Sequence, residues 1–317
     1  MSERIRIAII GFGKIAQDQH VPSIAGNPRF ELVATANRTG EGADGVPHFT
    51  SDEALLAAMA DKLDAVAICT PPSVRFDIAS RCIAAGLQTL LEKPPGDTLS
   101  EVEELARLAA EKPVTLFTTW HAQYNPGVTA AAGLLAGKRI AAMKIYWHED
   151  VRKWHPGQQW IWEAGGFGVF DPGINALSIA TRIFPGALFV REAILSFPEN
   201  RQAPIAARLA FHSPVADGPL DADFDWRHEG GEAWTIEVRT ADGDIILLSE
   251  GGAKLSRNGE SVAAAGPGEY PAIYQAFAEL VDGHQSHVDV APLRLTADAF
   301  LAGKRELVEP FEDPARG

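Results

Sequence analysis

A continuous apolar run over residues 5–10 breaks directly into Gly11-Phe12-Gly13-Lys14-Ile15-Ala16, and no other feature of the chain restricts its fold as tightly. A strand that feeds a glycine turn and then a helix is the opening of a βαβ unit. Gly11 permits the tight turn, Gly13 lets the main chain approach a pyrophosphate, and the small Ala16 allows helix–strand contact. The helix is expected over about 15–26, with Lys14 and Ile15 at its opening. Strands follow at 30–37, 65–69, 89–91 and 114–118. Helices separate them at 52–61 (Ser51 or Asp52 as N-cap), from Pro72 to Ala85, and after Ser100, whose spacing to Glu103 reads as a capping box. These strands are apolar runs, as strands buried on both faces must be, so a doubly covered parallel sheet is expected.

Beyond Asn125 the pattern changes. A helix near 128–135 and a strand near 143–149 lead into a Trp-, Gly- and Pro-rich loop reaching about 168, then a helix over 173–184. Strand-like runs at 189–197, 203–212, 220–226, 233–240 and 244–249 are joined by short turns, the signature of a mainly antiparallel sheet. Helices near 271–282 and 292–304 close the chain. The expected organisation is a Rossmann domain over 1–122 and an α+β domain with an open, mainly antiparallel sheet over 123–317.

The formal net charge is −14, from 42 acidic against 28 basic residues, which disfavours nucleic acid or an anionic membrane as partner. A dinucleotide remains compatible, because a helix N-terminus holds phosphate with main-chain N–H groups. The two cysteines, Cys69 and Cys82, form neither a disulfide framework nor a metal-ligand spacing, so no metal is expected. With no signal-peptide pattern and no apolar span long enough for a bilayer, a soluble, cytoplasmic protein is expected.

Ligands of open α/β sheets lie beyond the carboxyl ends of the strands. There the chain carries Asn37-Arg38, Thr70-Pro71-Pro72, Glu92-Lys93-Pro94 and Trp120-His121. A carboxylate at position 37 would take a ribose 2′-hydroxyl. Neutral Asn37 followed by Arg38 instead argues for NADP or for use of both cofactors. Lys93, a cation between Leu90-Leu91 and two prolines, is a candidate for chemistry. In the second domain Glu149, Arg152, Trp154-His155, Asp171 and Asn175 gather in or beside the long loop. Aromatic rings interleaved with carboxylates and amides suit a polyhydroxylated ligand. Asp171 and Asn175, four apart at a helix start, face the same way. His20, His48, His212, His228, His284 and His287 show no constellation and read as structural or solvated.

Gly-x-Gly-x-x-Ala, Thr70-Pro71-Pro72, Glu92-Lys93-Pro94 and the block from Gly165 to Asn175 together resemble the Gfo/Idh/MocA oxidoreductases over essentially the whole chain. The resemblance implies a sugar or polyol substrate, NAD or NADP, a homodimer or homotetramer built on the C-terminal sheet, and Lys93 placed between nicotinamide and substrate. It also implies cofactor contacts from Gly11, Gly13, Lys14, Ile15, Asn37, Arg38, Thr70, Pro71 and Glu92. The stretch from Glu149 to Trp162, with Trp120-His121 and Phe170 to Asn175, is similar to bacterial aldose 1-dehydrogenases acting on L-arabinose and D-galactose. By that resemblance Lys93, His121, Glu149, Trp154, His155, Asp171 and Asn175 line a sugar site. Many members of the family carry a histidine base where this chain has Asn175. The proton acceptor is then Asp171 or Lys93, which favours oxidation of the more acidic anomeric hydroxyl. A secondary-alcohol dehydrogenase of the inositol type and a dinucleotide-binding regulator without turnover are the alternatives.

Overall fold

The computed structural model describes residues 4–40 and 42–312. The chain divides into two compact units. The first takes residues up to His121 together with Pro267–Val290; the second takes Ala122–Gly266 and the residues from Ala291 on.

In the first unit, β1 (Ile5–Ile10) turns through Gly11 into a π-helical turn, Ala16–His20, that continues as α1 (Val21–Ala25). Then come β2 (Phe30–Ala36), β3 (His48–Phe49), α2 (Asp52–Met59), β4 (Ala65–Ile68), α3 (Pro72–Ala84), β5 (Gln88–Leu91), α4 (Leu99–Glu111) and β6 (Leu116–Thr118). All pairings are parallel, in the order β3-β2-β1-β4-β5-β6. That order reverses at β1, so β1 and β4 open a crevice at their carboxyl ends, where Gly11 and Thr70 lie. Ile7, Ala8, Ile9 and all four residues of β4 are fully buried, as the apolar runs require. The cap of α4 sits two residues earlier than expected. Thr98 Oγ1 accepts from Glu101 N, and Glu101 reaches back to the amides of both Asp97 and Thr98, so Ser100 and Glu103 fall inside the helix.

In the second unit, α5 (Pro126–Leu135) leads to β7 (Ile140–His148), the short α6 (Val151–Trp154) and α7 (Phe170–Ile183). Strands β8 (Phe189–Pro198), β9 (Ala206–His212), β10 (Leu220–Asp225), β11 (Ala233–Thr240), β12 (Ile245–Ser249), β13 (Lys254–Arg257) and β14 (Glu260–Val262) follow. After α8 (Glu269–Asp282), the chain ends in α9 (Ala291–Ala302) and β15 (Lys304–Val308). The nine strands run β14-β13-β12-β11-β7-β10-β9-β8-β15, with β7/β10 and β8/β15 parallel and the other pairs antiparallel. Along β7, Met143, Ile145 and Trp147 are buried while Lys144 is exposed and Tyr146 and His148 are half-buried, the alternation of a sheet covered on one face. Helix α7, buried on nearly all sides, packs against α5, α9 and the sheet.

Helix α8 corrects the expected division at 122/123, because it belongs to the first unit. Its Tyr270, Tyr274 and Phe277, spaced as one helical stripe, are buried there. Phe277 stacks between Phe30 and Phe117, and the Tyr274 ring meets Phe30 edge-on. Division by sequence order fails because a distant helix completes the sheet's cover. Strands β3, β13, β14 and β15, short or marked by charge, went unpredicted.

Candidate functional site

Each unit contributes a cluster, built from the ends of its strands. At the crevice of the first unit, Gly11 has φ +90°, and a Cβ there would fall 2.7 Å from the Thr70 amide nitrogen. Only glycine permits that close approach of the two strand ends. A Cβ on Gly13 would meet nothing, so this main chain faces open space of the kind a pyrophosphate fills. Lys14, Ile15 and Pro71 are exposed around it, and Arg38 is exposed after half-buried Asn37, whose amide is bonded to Thr39 Oγ1. Thr70 Oγ1 is buried without a hydrogen-bond partner among the described residues. An open glycine main chain, an orphaned hydroxyl and an exposed arginine fit a dinucleotide.

The end of β5 carries Glu92, 4% exposed, then half-buried Lys93 in a cis peptide bond to Pro94. Glu92 Oε1 accepts from His20 Nε2 (3.0 Å) and from Tyr270 Oη (2.7 Å); Oε2 accepts the Lys93 amide at 2.8 Å. Burial alone would raise the Glu92 pKa, but His20, His121 and Tyr270 bring it down to about 2. Burial equally opposes a charged His20, yet Cys69, Tyr274 and Glu92 hold its pKa well above the ordinary value. Glu92 is thus an interior residue of this unit. Its carboxylate is buried and engaged inside the unit, where it holds the main chain of Lys93.

His121 lies in the same cluster. Its Nδ1 is 3.0 Å from Glu269 Oε2 and its ring stacks on Tyr270. Burial works against its charge, but Glu269 and Glu92 outweigh burial and the opposing Lys93, so its pKa is raised.

In the second unit, Glu149 follows β7, which runs between β10 and β11. Trp226 follows the parallel β10 and Trp234 lies near the start of the antiparallel β11, so the topology places one indole on each side of Glu149. Trp226 Nε1 donates to Oε1 at 3.2 Å and Trp234 Nε1 to Oε2 at 2.9 Å, with Glu149 only 3% exposed. The Trp226 and His155 ring centroids lie 5.4 Å apart, and His155 Nε2 lies 3.4 Å from Asp171 Oδ2. Asp171 occupies the first turn of α7, where the helix dipole favours its charge. A Cβ on Gly173 would fall 2.8 Å from the Phe224 ring, so glycine is what lets this turn lie close to β10. Asn175, one turn on, has a buried Oδ1 with no partner among the described residues. Trp154 is 44% exposed, with its N–H on Glu232.

Lys93 and His121 are thus together in one unit, and Glu149, Trp154, His155, Asp171 and Asn175 in the other. Sequence reasoning missed His20, Glu269, Tyr270 and Tyr274 in the first, and the roles of Trp226 and Trp234 in the second. His20 was legible in part, since it shares a four-residue spacing with buried Ala16 and Ile24.

Residues 5–119 match the family model described as "Oxidoreductase family, NAD-binding Rossmann fold". A galactose 1-dehydrogenase of Pseudomonas fluorescens is 45% identical over 311 residues, covering 98% of this chain and 99% of that protein. The chain belongs to the Gfo/Idh/MocA oxidoreductase family. The crystal structure of a D-galactose-1-dehydrogenase from Rhizobium etli superimposes with a TM-score of 0.93 at 50% identity, covering 98% of this chain and 99% of that one. An inositol 2-dehydrogenase of Rhizobium meliloti (strain 1021) is 25% identical over 145 residues, covering 44% of this chain and 43% of its own length. As a Gfo/Idh/MocA protein the chain is an oxidoreductase using NAD or NADP, and the glycine crevice of its first unit fits that cofactor. No helix among the described residues is long and apolar enough to cross a membrane.

Proposed function

We propose that this chain is an aldose 1-dehydrogenase, oxidising D-galactose, L-arabinose or a related pyranose at C1 to the aldonolactone. The observation that carries the reading is the Glu149–Trp226–His155–Asp171 chain of contacts, which joins a clamped carboxylate to a carboxylate–imidazole pair beside an unsatisfied amide oxygen. The near full-length similarity to galactose 1-dehydrogenases supports it, and the inositol 2-dehydrogenase match covers less than half of the chain.

A bound nicotinamide supplies the hydride acceptor for C1–H. Gly11, Gly13, Lys14, Ile15 and Thr70 would hold the dinucleotide, with Arg38 at a 2′-phosphate, so NADP is the favoured form. Lys93 is the catalytic cation of the first unit. Asp171 takes the proton from O1 and shares it with His155, which at 18% side-chain exposure can release it to water. Glu149 and Asn175 accept ring hydroxyl hydrogens, and the exposed Trp154 face covers C–H groups. We further propose that copies associate through the open sheet face bearing Lys144, Tyr146, Glu192, Arg208, Asp221 and Asp223, and that the enzyme is cytoplasmic.

The deciding experiment follows cofactor reduction with D-galactose, L-arabinose, D-glucose and myo-inositol, and identifies each product. Lactone from the aldoses is expected. A ring ketone from inositol would replace the proposal with the polyol reading, and no turnover on any of the four would overturn the substrate assignment. Lys93→Met should lower kcat about 100- to 10,000-fold, the span of general acid–base effects, with dinucleotide Kd unchanged.

A further inference from the structure

The C1 reading gives no part to a deeply buried polar cluster of the first unit. His20 is 0% exposed, Tyr270 3% and Tyr274 0%, and they surround Glu92. His20 Nε2 meets Glu92 Oε1 while its Nδ1 lies 2.8 Å from the Tyr274 hydroxyl oxygen, so both ring nitrogens are engaged. Tyr270 donates to the same Glu92 oxygen. The remaining Glu92 oxygen is on the Lys93 amide.

We propose that His20 and Tyr270 are positioning residues for Lys93, locking the Glu92 carboxylate that in turn holds the lysine main chain. The proposal rests on the reading of Lys93 as a catalytic residue. A lysine ammonium stands at the end of four rotatable bonds, so its placement depends first on the backbone from which it starts. Misplacing a reacting group by about 1 Å can cost about 100-fold in rate. Glu92 is suited to the task because its two oxygens are divided, one tied to His20 and Tyr270, the other to the residue being held. A buried carboxylate kept only by the lysine amide would be poorly satisfied, and burial would drive it toward the neutral form.

The supports come from segments far apart in sequence. His20 ends the π-helical turn after the glycine loop, and π-turns inside helices frequently mark functional positions. Tyr270 comes from α8, a helix of the first unit. The groups facing Glu92 are His20 from the π-turn, Tyr270 and Tyr274 from α8, and His121 and Lys93, while Cys69 after β4 faces His20 and the two tyrosines. Arg75 of α3 bonds the Glu92 carbonyl, and Glu269 faces His121. Burial and Glu92 push the Tyr270 phenol well above its usual pKa, so it stays a donor.

The test compares the full-length enzyme with Tyr270→Phe, which removes one hydroxyl, and His20→Asn, the larger change. For each, kcat against pH, sugar KM and dinucleotide Kd are measured on protein shown by circular dichroism to be folded. With a donor removed, the Glu92 pKa rises from its depressed value and the acid limb of the kcat profile moves to higher pH. Along that limb kcat falls about 10- to 100-fold, the scale of a small displacement, while dinucleotide Kd stays within about twofold. A folded Tyr270→Phe enzyme with wild-type kcat and pH profile overturns the proposal, as does a changed Kd with kcat untouched. Lys93→Met, assayed alongside, separates the two claims. If it retains turnover, the reading of Lys93 fails; if it is inactive while Tyr270→Phe behaves as wild type, only the positioning role fails.

Discussion

Trp226 donates its indole N–H to Glu149 at 3.2 Å while its ring lies 5.4 Å from that of His155, so one fully buried side chain braces both a carboxylate and the imidazole paired with Asp171. Removing the donor leaves a buried acceptor with one indole partner fewer, a loss of about 1–3 kcal/mol. Trp226→Phe should therefore raise the KM for sugar about 10- to 100-fold and lower the thermal midpoint. Dinucleotide Kd should not move, because every contact of Trp226 described here lies in the second unit. Steady-state kinetics with galactose and a cofactor titration check this. A variant that loses dinucleotide binding but keeps its sugar KM would contradict it.

Arg38 is exposed directly after β2, next to an Asn37 whose amide is turned onto Thr39. A hydrogen bond to a charged phosphate contributes about 1.5–3 kcal/mol. Arg38→Ala should lower kcat/KM for NADP about 10- to 100-fold and leave that for NAD nearly unchanged. Parallel titrations with the two cofactors decide it. Equal losses with both would assign Arg38 to the adenine face instead.

Local signals account for what the sequence made legible. The strand–glycine–helix opening needs only neighbours, and Gly11 stands where its φ and the approach of Thr70 require glycine. The alternating strands of the second unit follow from one covered face. What stayed hidden depends on long-range return of the chain. Tyr270 and Tyr274 look like an ordinary apolar stripe until α8 is placed against residues some 250 positions earlier, such as His20. Trp226 and Trp234 are two more aromatic residues until the order β11-β7-β10 puts them on either side of Glu149. Asp171 and Asn175 were visible because both lie on one helix. The pairing of Asp171 with His155 was not, since it joins a loop to that helix.

The buried pair Glu92–His20 also sets a dependence of stability on pH, with opposite signs on its two sides. The Glu92 pKa is depressed to about 2 in the folded protein, against about 4.3 in an unfolded chain. Its contribution is thus complete above about pH 4.3 and is lost as pH falls toward 2. The His20 pKa is raised above an unfolded value of about 6.5, so its contribution is complete below that value and is lost as pH rises through the folded one. Both groups are charged together between these limits, and the pair stabilises most from about pH 4.3 to 6.5. Urea unfolding across this range should give a maximum there, with an acid limb and an alkaline limb. Glu92→Gln should flatten the acid limb, since its amide does not titrate, and lower the maximum by leaving His20 without its carboxylate. An acid limb as steep in Glu92→Gln as in the wild type would assign that sensitivity to other carboxylates.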